Sequence, residues 1–260
     1  MKYKIKQKKS LNAKIQLLFL LAIIACCIYQ ITSYVLNLYY NNKLNSQLQE
    51  LYLVNSKKIE SIENNKSSKS NESKEKNISY FEELLAINSD VIAWIKISDT
   101  TINYPVVKGQ DNEYYLNHNI KKESSVSGSI FMDYRNEGTN QDLNKIIYGH
   151  NMKDGSMFKA LTNYKKKEFF LAHPIIELNT LNESTQWEIF SVYITDTNFN
   201  YIKTNFDNKE EYSSFLKELK NKSLYDTGVN ITSDDIILTL STCTYEFSNA
   251  RFAIHAKLVK

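Results

Sequence analysis

Apolar positions fall into three regimes along the chain. From Ile15 to Asn42 no charged residue occurs, and the heart of the stretch, IQLLFLLAIIACCIYQITSYVL, is apolar all round. About 20 such residues in a helix cross a hydrocarbon core, so residues 15–38 predict a transmembrane helix. Residues 39–77 predict a linker. There the short amphipathic QLQELYLV gives way to NNKSSKSNESKEKN, which has no aromatic and too little apolar surface to offset the entropy of ordering. From residue 78 onward, helical and strand periods alternate, predicting one folded domain over 78–260.

Within that domain, Ser79 and Glu82 have capping-box spacing, and Phe81, Leu84 and Leu85 share the face of a first helix. Short β-rich runs follow at 91–97 (VIAWIKI), 101–107 (TINYPVV), 127–134 (SGSIFMDY) and 144–150 (NKIIYGH), separated by Gly, Asn and Asp turn signals. Residues 154–170 predict a helix with Met157, Phe158 and Leu161 on one side, and 187–196 (WEIFSVYITD) another strand. Asp207 with Glu210 can cap a further helix, whose apolar stripe is Tyr212, Phe215, Leu216 and Leu219. Two strands close the chain, 235–243 (DIILTLSTC) and 251–259 (RFAIHAKLV). Many short strands at close spacing predict a mainly β barrel or sandwich with peripheral helices.

Charge adds direction. Lys2, Lys4, Lys6, Lys8, Lys9 and Lys14 precede the apolar stretch, and only Lys43 stands close behind it. The positive-inside rule therefore puts residues 1–14 in the cytoplasm and the folded domain outside the cell. The apolar run is long and no small-x-small site follows it, which favours a retained anchor over a cleaved signal peptide. Overall, 32 basic residues against 29 acidic ones are too even a balance for a nucleic-acid binder.

Three cysteines are present, and Cys26 and Cys27 lie inside the apolar stretch as small fillers. Cys243 is left alone in an exported domain, where a thiol with no partner for a disulfide is a candidate reactive group. It ends an apolar strand, and Arg251 opens the next after a short polar connection. If those strands are neighbours, thiol and guanidinium meet at one end of the sheet, where a cation favours the thiolate and can hold an oxyanion. All but two of the 32 basic residues are lysine, so a planar, permanently charged fork at 251 is a notable choice. Four histidines compete as acid/base, and spacing alone does not choose among them. His150 ends a strand, a good platform for catalysis; His173 precedes Pro174, His255 lies mid-strand, and His118 is ambiguous. No CxxC, HExxH, P-loop, GxSxG or calcium-loop pattern occurs, so neither metal nor cofactor is expected.

TLSTC (239–243) with Arg251, and IIYGH (146–150) upstream, resemble the cysteine, arginine and histidine signatures of sortases. INYPVV (102–107), DNEYYLN (111–117), SGSIFMDYRN (127–136) and the helix around Tyr212 to Leu219 resemble class B, rather than class A or the pilin-polymerising enzymes. The resemblance covers roughly residues 79–260. It implies a closed eight-stranded β-barrel and a cysteine transpeptidase that cuts a C-terminal sorting motif of secreted proteins after threonine. The thioacyl enzyme would then pass to an amine of peptidoglycan or its lipid-linked precursor. Cys243 would be nucleophile, His150 acid/base, and Arg251 with the Thr244 N–H would hold the oxyanion. The implied substrate groove comprises Asn112, Leu116, Thr197, Tyr201, Ile202 and Ser241. A cysteine endopeptidase that releases product to water, or a membrane-tethered scaffold, are the alternatives.

Overall fold

Neither Gly nor Pro occurs between residues 2 and 63, so nothing in the backbone chemistry ends a helix there. In the computed structural model, which describes residues 2–63, 81–139 and 141–259, α1 is one continuous helix, Lys2–Glu63. Its apolar part is exposed on all sides and is long and apolar enough to cross a membrane. Beyond that part the helix behaves differently from a linker. Asn41, Leu44, Leu48 and Tyr52 recur once per turn and are buried against the folded domain. Tyr52 stacks flat on Trp94 at 4.2 Å between centroids, and its hydroxyl accepts from Asn179 Nδ2 at 2.8 Å. Polar side chains pin the same face: Asn37 to the backbone of Ser124 and Val126, Asn41 to Asn119, and Gln49 to the Asn103 carbonyl. The expectation of a free linker over 39–77 is therefore corrected for its first part, which is a docked helix. Residues 64–80, with the expected cap at Ser79, lie outside the described residues.

Helix α2 (81–87) buries Phe81 and Leu84 beside α1. The strands are β1 Val91–Lys96, β2 Asn103–Lys108, β3 Ile130–Met132, β4 Asn144–Tyr148, β5 Ile175–Thr180, β6 Ser184–Thr195, β7 Ile237–Cys243 and β8 Arg251–Leu258. They close into a barrel in the order β1-β2-β3-β4-β7-β8-β6-β5. Residues 154–170 do not make one helix: a 3-10 segment, Phe158–Lys165, breaks at extended Lys166 before the short α3, Lys167–Ala172. Met157, Phe158 and Leu161 are buried in the barrel core as their spacing predicts. Helix α4, Lys209–Asn221, starts one residue later than expected: Asn208 accepts from the Glu211 N–H at 2.8 Å, while the Glu211 carboxylate takes the Asp207 N–H.

Three apolar clusters result. One fills the barrel, a second lies under α1 and α2, and a third lies between α4 and the outer face of β6, β7 and β8. Because α4 covers that face, β8 is buried on both sides and His255 is wholly enclosed. Its ring nitrogens meet Tyr193 Oη and Thr239 Oγ1, each at 2.8 Å, and burial pushes its pKa down to about 3. It is a neutral structural residue.

Candidate active site

Strand directions decide which side chains can meet. Strands β4 and β7 are parallel, so the residues following Tyr148 and those ending at Cys243 leave the barrel at one rim. Strand β8 runs antiparallel to β7, which puts its first residue, Arg251, directly opposite Cys243. Hydrogen bonds tie the two exits together: Gly149 N–H to Ser241 O at 3.3 Å, Thr242 Oγ1 to Gly149 O at 2.7 Å, and Asn151 Nδ2 to Cys243 O at 2.8 Å. Gly149 also lets Ile130 and Phe158 pack against this exit, since a Cβ there would stand 2.4 Å from Ile130 Cδ1 and 2.8 Å from the Phe158 ring.

At this rim a cavity of about 530 Å³ is lined by Cys243, His150, Arg251, Asn112, Leu116, Thr197, Tyr201, Ile202 and Ser241, among others. All nine residues singled out in the sequence thus face one groove. The other histidines do not: His118 stacks on Tyr114, His173 follows α3, and His255 is enclosed.

His150 Nε2 lies 2.8 Å from the Leu116 carbonyl. A carbonyl only accepts, so this contact puts a proton on Nε2 and leaves Nδ1 to exchange one when the ring is neutral. The Cys243 sulfur makes no hydrogen bond among the described residues, so thiol and imidazole are not paired directly. Arg251 donates only to the adjacent Ala250 carbonyl, at 3.2 Å, and has no carboxylate partner among the described residues. Its guanidinium is available to an anion in the groove. The Thr244 N–H, by contrast, donates to Ala250 O at 3.1 Å and is already engaged.

The groove walls are held from behind by Asp133, whose side chain is fully buried. Oδ1 accepts from the backbone N–H and Nε of Arg135; Oδ2 accepts from Arg135 Nη2, Asn112 Nδ2 and Tyr148 Oη. Arg135 Nη2 reaches on to the Ile202 carbonyl at 3.0 Å. Burial, the largest single influence, would raise the Asp133 pKa, but Arg135, its N–H and the Tyr148 hydroxyl together hold it below the ordinary carboxylate value. Tyr148 is pushed well above the usual phenol range by burial and by that carboxylate, so it stays a neutral donor. Asn112 lines the groove with an amide engaged at both ends, its Oδ1 accepting the Tyr134 N–H at 3.0 Å. Opposite, Tyr201 and Ser241 share a hydroxyl contact of 2.8 Å. Asp133 and Arg135 were not singled out in the sequence, although DYR beside an arginine-poor composition is the signal that could have found them.

The sortase domain family matches residues 95–259. The chain belongs to the sortase family. Sortase B of Staphylococcus aureus strain NCTC 8325 is 44% identical over 182 residues, 69% of this chain and 75% of that protein. Sortase B of Listeria monocytogenes serovar 1/2a is 44% identical over 179 residues, 68% and 73% of the two chains. Among solved structures, Bacillus anthracis sortase B in complex with AAEK1 superposes with TM-score 0.74 at 41% identity, covering 87% of this chain and 99% of that one. The Staphylococcus aureus sortase B–substrate complex gives 0.75 at 38% identity, covering 85% and 97%. This sortase is a class B cysteine transpeptidase built on the closed eight-stranded barrel.

Proposed function

We propose that this sortase is held in the cell membrane by α1, with residues 1–14 cytoplasmic and the barrel outside, and that it anchors secreted proteins to the cell wall. A C-terminal sorting motif lies in the groove against Leu116, Thr197, Tyr201, Ile202, Ser241 and the wall containing Asn112. The Cys243 thiolate attacks the carbonyl carbon of the motif's threonine. His150 protonates the leaving amine as the C–N bond breaks, leaving a thioacyl enzyme. A primary amine of peptidoglycan, or of its lipid-linked precursor, then bonds to that carbon. The C–S bond breaks, its electron pair returns to Cys243, and His150 takes the amine's proton. Arg251 holds the oxyanion in both halves. The Thr244 N–H can join it only once its bond to Ala250 O opens.

The observation that carries this reading is the convergence of a thiol, an imidazole and a guanidinium without a carboxylate partner among the described residues in the lining of one groove of about 530 Å³. The sortase B–substrate complex among its structural relatives supports a groove that holds substrate. The test uses the full chain in detergent micelles, because α1 packs on Trp94. A quenched library of sorting peptides is offered with and without an amine acceptor, beside Cys243→Ala. Cysteine-dependent cleavage, a thioacyl adduct by mass spectrometry and ligated product are expected. Cleavage without ligation would make it an endopeptidase; no turnover and no adduct would favour a scaffold.

A further inference from the structure

Charge brackets the apolar part of α1. Lys14 and Lys43 are the nearest charged residues on either side of it, and at the usual helical rise they stand about 43 Å apart, the thickness of a bilayer with both headgroup layers. On the anchored reading, Asn37 then lies about 9 Å below Lys43, where the outer headgroup layer meets hydrocarbon. Tyr39 and Tyr40 follow it, both exposed, at the depth that interfacial aromatic rings favour.

The barrel is bonded to α1 at this same depth. Asn37 Nδ2 donates to Ser124 O and its Oδ1 accepts from the Val126 N–H, each at 3.0 Å; Asn119 Nδ2 donates to Asn41 Oδ1, and Asn42 Nδ2 to Asp154 Oδ2. Two loops of the barrel, 119–126 and 151–156, are thereby held at the level of the headgroups. Their exposed side chains suit that level. Val126 is apolar yet 40% exposed, and its backbone is tied to the deepest of these asparagines. Lys121 and Lys153, like Lys43, are exposed and have no carboxylate within ion-pair distance among the described residues, whereas Lys122 pairs with Asp90. The acids of the same loops are engaged: Glu123 accepts from Asn119, and Asp154 from Asn42 and Ser156.

We infer that these loops are a lipid-docking surface: Val126 enters the edge of the hydrocarbon, and Lys43, Lys121 and Lys153 take the phosphates of anionic phospholipids. The inference rests on the anchored reading and adds to it a second contact, made by the barrel itself. His150 stands three residues before Lys153, and its Nε2 rests on the carbonyl of Leu116, three residues before Asn119. The catalytic ring is therefore braced between the two docked loops.

The test uses the full chain in vesicles of phosphatidylcholine and phosphatidylglycerol, with bromine on the acyl chains of one lipid at a time as fluorescence quencher. Trp94 and Trp187 are buried and give a steady background. Tyr29→Trp, midway between Lys14 and Lys43, reports whether α1 crosses the bilayer; Val126→Trp reports the docking loop; Leu224→Trp, just beyond α4 on the other side of the barrel from α1, is the control. Both lipids should quench Tyr29→Trp and Val126→Trp and leave Leu224→Trp unchanged. At Val126→Trp, phosphatidylglycerol should be favoured over phosphatidylcholine by about fivefold, the scale of one lysine on an anionic surface. Lys43→Gln, Lys121→Gln and Lys153→Gln together should bring that ratio close to unity. Val126→Trp quenched no more than Leu224→Trp, or a lipid preference that is absent or survives the three exchanges, would overturn the inference while quenching at Tyr29→Trp leaves the anchor intact. No quenching at Tyr29→Trp would overturn the anchored reading and this inference with it.

Discussion

Asp133→Asn keeps shape and removes charge at the point where three walls of the groove are joined. Whichever way the new amide turns, its NH2 group faces donors. The better orientation leaves the carbonyl toward Arg135 Nη2, Asn112 and Tyr148 and turns the NH2 on the N–H and Nε of Arg135. Breaking a buried charge pair costs ~3–5 kcal/mol. The Arg135 side chain is 33% exposed and can rehydrate, so the lower end applies, about 3 kcal/mol. For a domain of this size each 1 kcal/mol moves Tm by about 2–4 °C, so thermal unfolding of the full chain at pH 7 should fall by about 6–12 °C. The folded carboxyl sits below its ordinary pKa. Its contribution is therefore complete above the unfolded value of about 4 and is lost as pH falls through the folded value. The gap between wild type and variant should hold from pH 7 to 5 and narrow below about pH 4. A drop under about 2 °C at pH 7, or a gap that stays constant into acid, would show that the Asp133 charge does not hold the groove walls together.

Arg251→Lys retains a positive charge and loses the planar fork; acylation kcat measured with the cleaved peptide should fall by about 10²–10³ with little change in Tm. Gly149→Ala forces a methyl into Ile130 and Phe158 and should cost about 1–3 kcal/mol by denaturation, with a further loss of activity as His150 shifts. Tyr52→Ala removes the plate over Trp94 and should cost about 3 kcal/mol, with a red shift in tryptophan emission.

Strand ends were readable because each catalytic candidate terminates a run of apolar alternation: His150 after IIYG, Cys243 after ILTLST, Arg251 before FAIHA. The α4 stripe was equally clear, and its core residues are buried as the spacing predicts. What the local pattern does not contain is the partner surface. Asn41, Leu44, Leu48 and Tyr52 give one anchoring residue per turn among Asn, Gln, Ser and Glu, a stripe too narrow to distinguish from a solvated helix. Residues far along the chain, among them Trp94 of β1, Val107 of β2 and Ile120, make it a docking face. Strand β5 escaped notice because IIELNT carries little apolar alternation beyond Ile176 and Leu178 and begins just after α3, past His173 and Pro174. Asn112 and Thr244 show a related limit: sequence puts each beside the chemistry, but not which of its polar groups a neighbour has already taken.

The unbroken α1 also sets a length scale. From Asn37, bonded to Ser124 and Val126, to Tyr52, bonded to Asn179, the helix advances by about 22 Å at its usual rise, with side-chain contacts on the barrel at both ends. On the anchored reading, such a strut denies the catalytic rim the wide excursions of a flexible tether. Both reactants must then come to one fixed altitude above the lipid, and their encounter becomes a search in two dimensions.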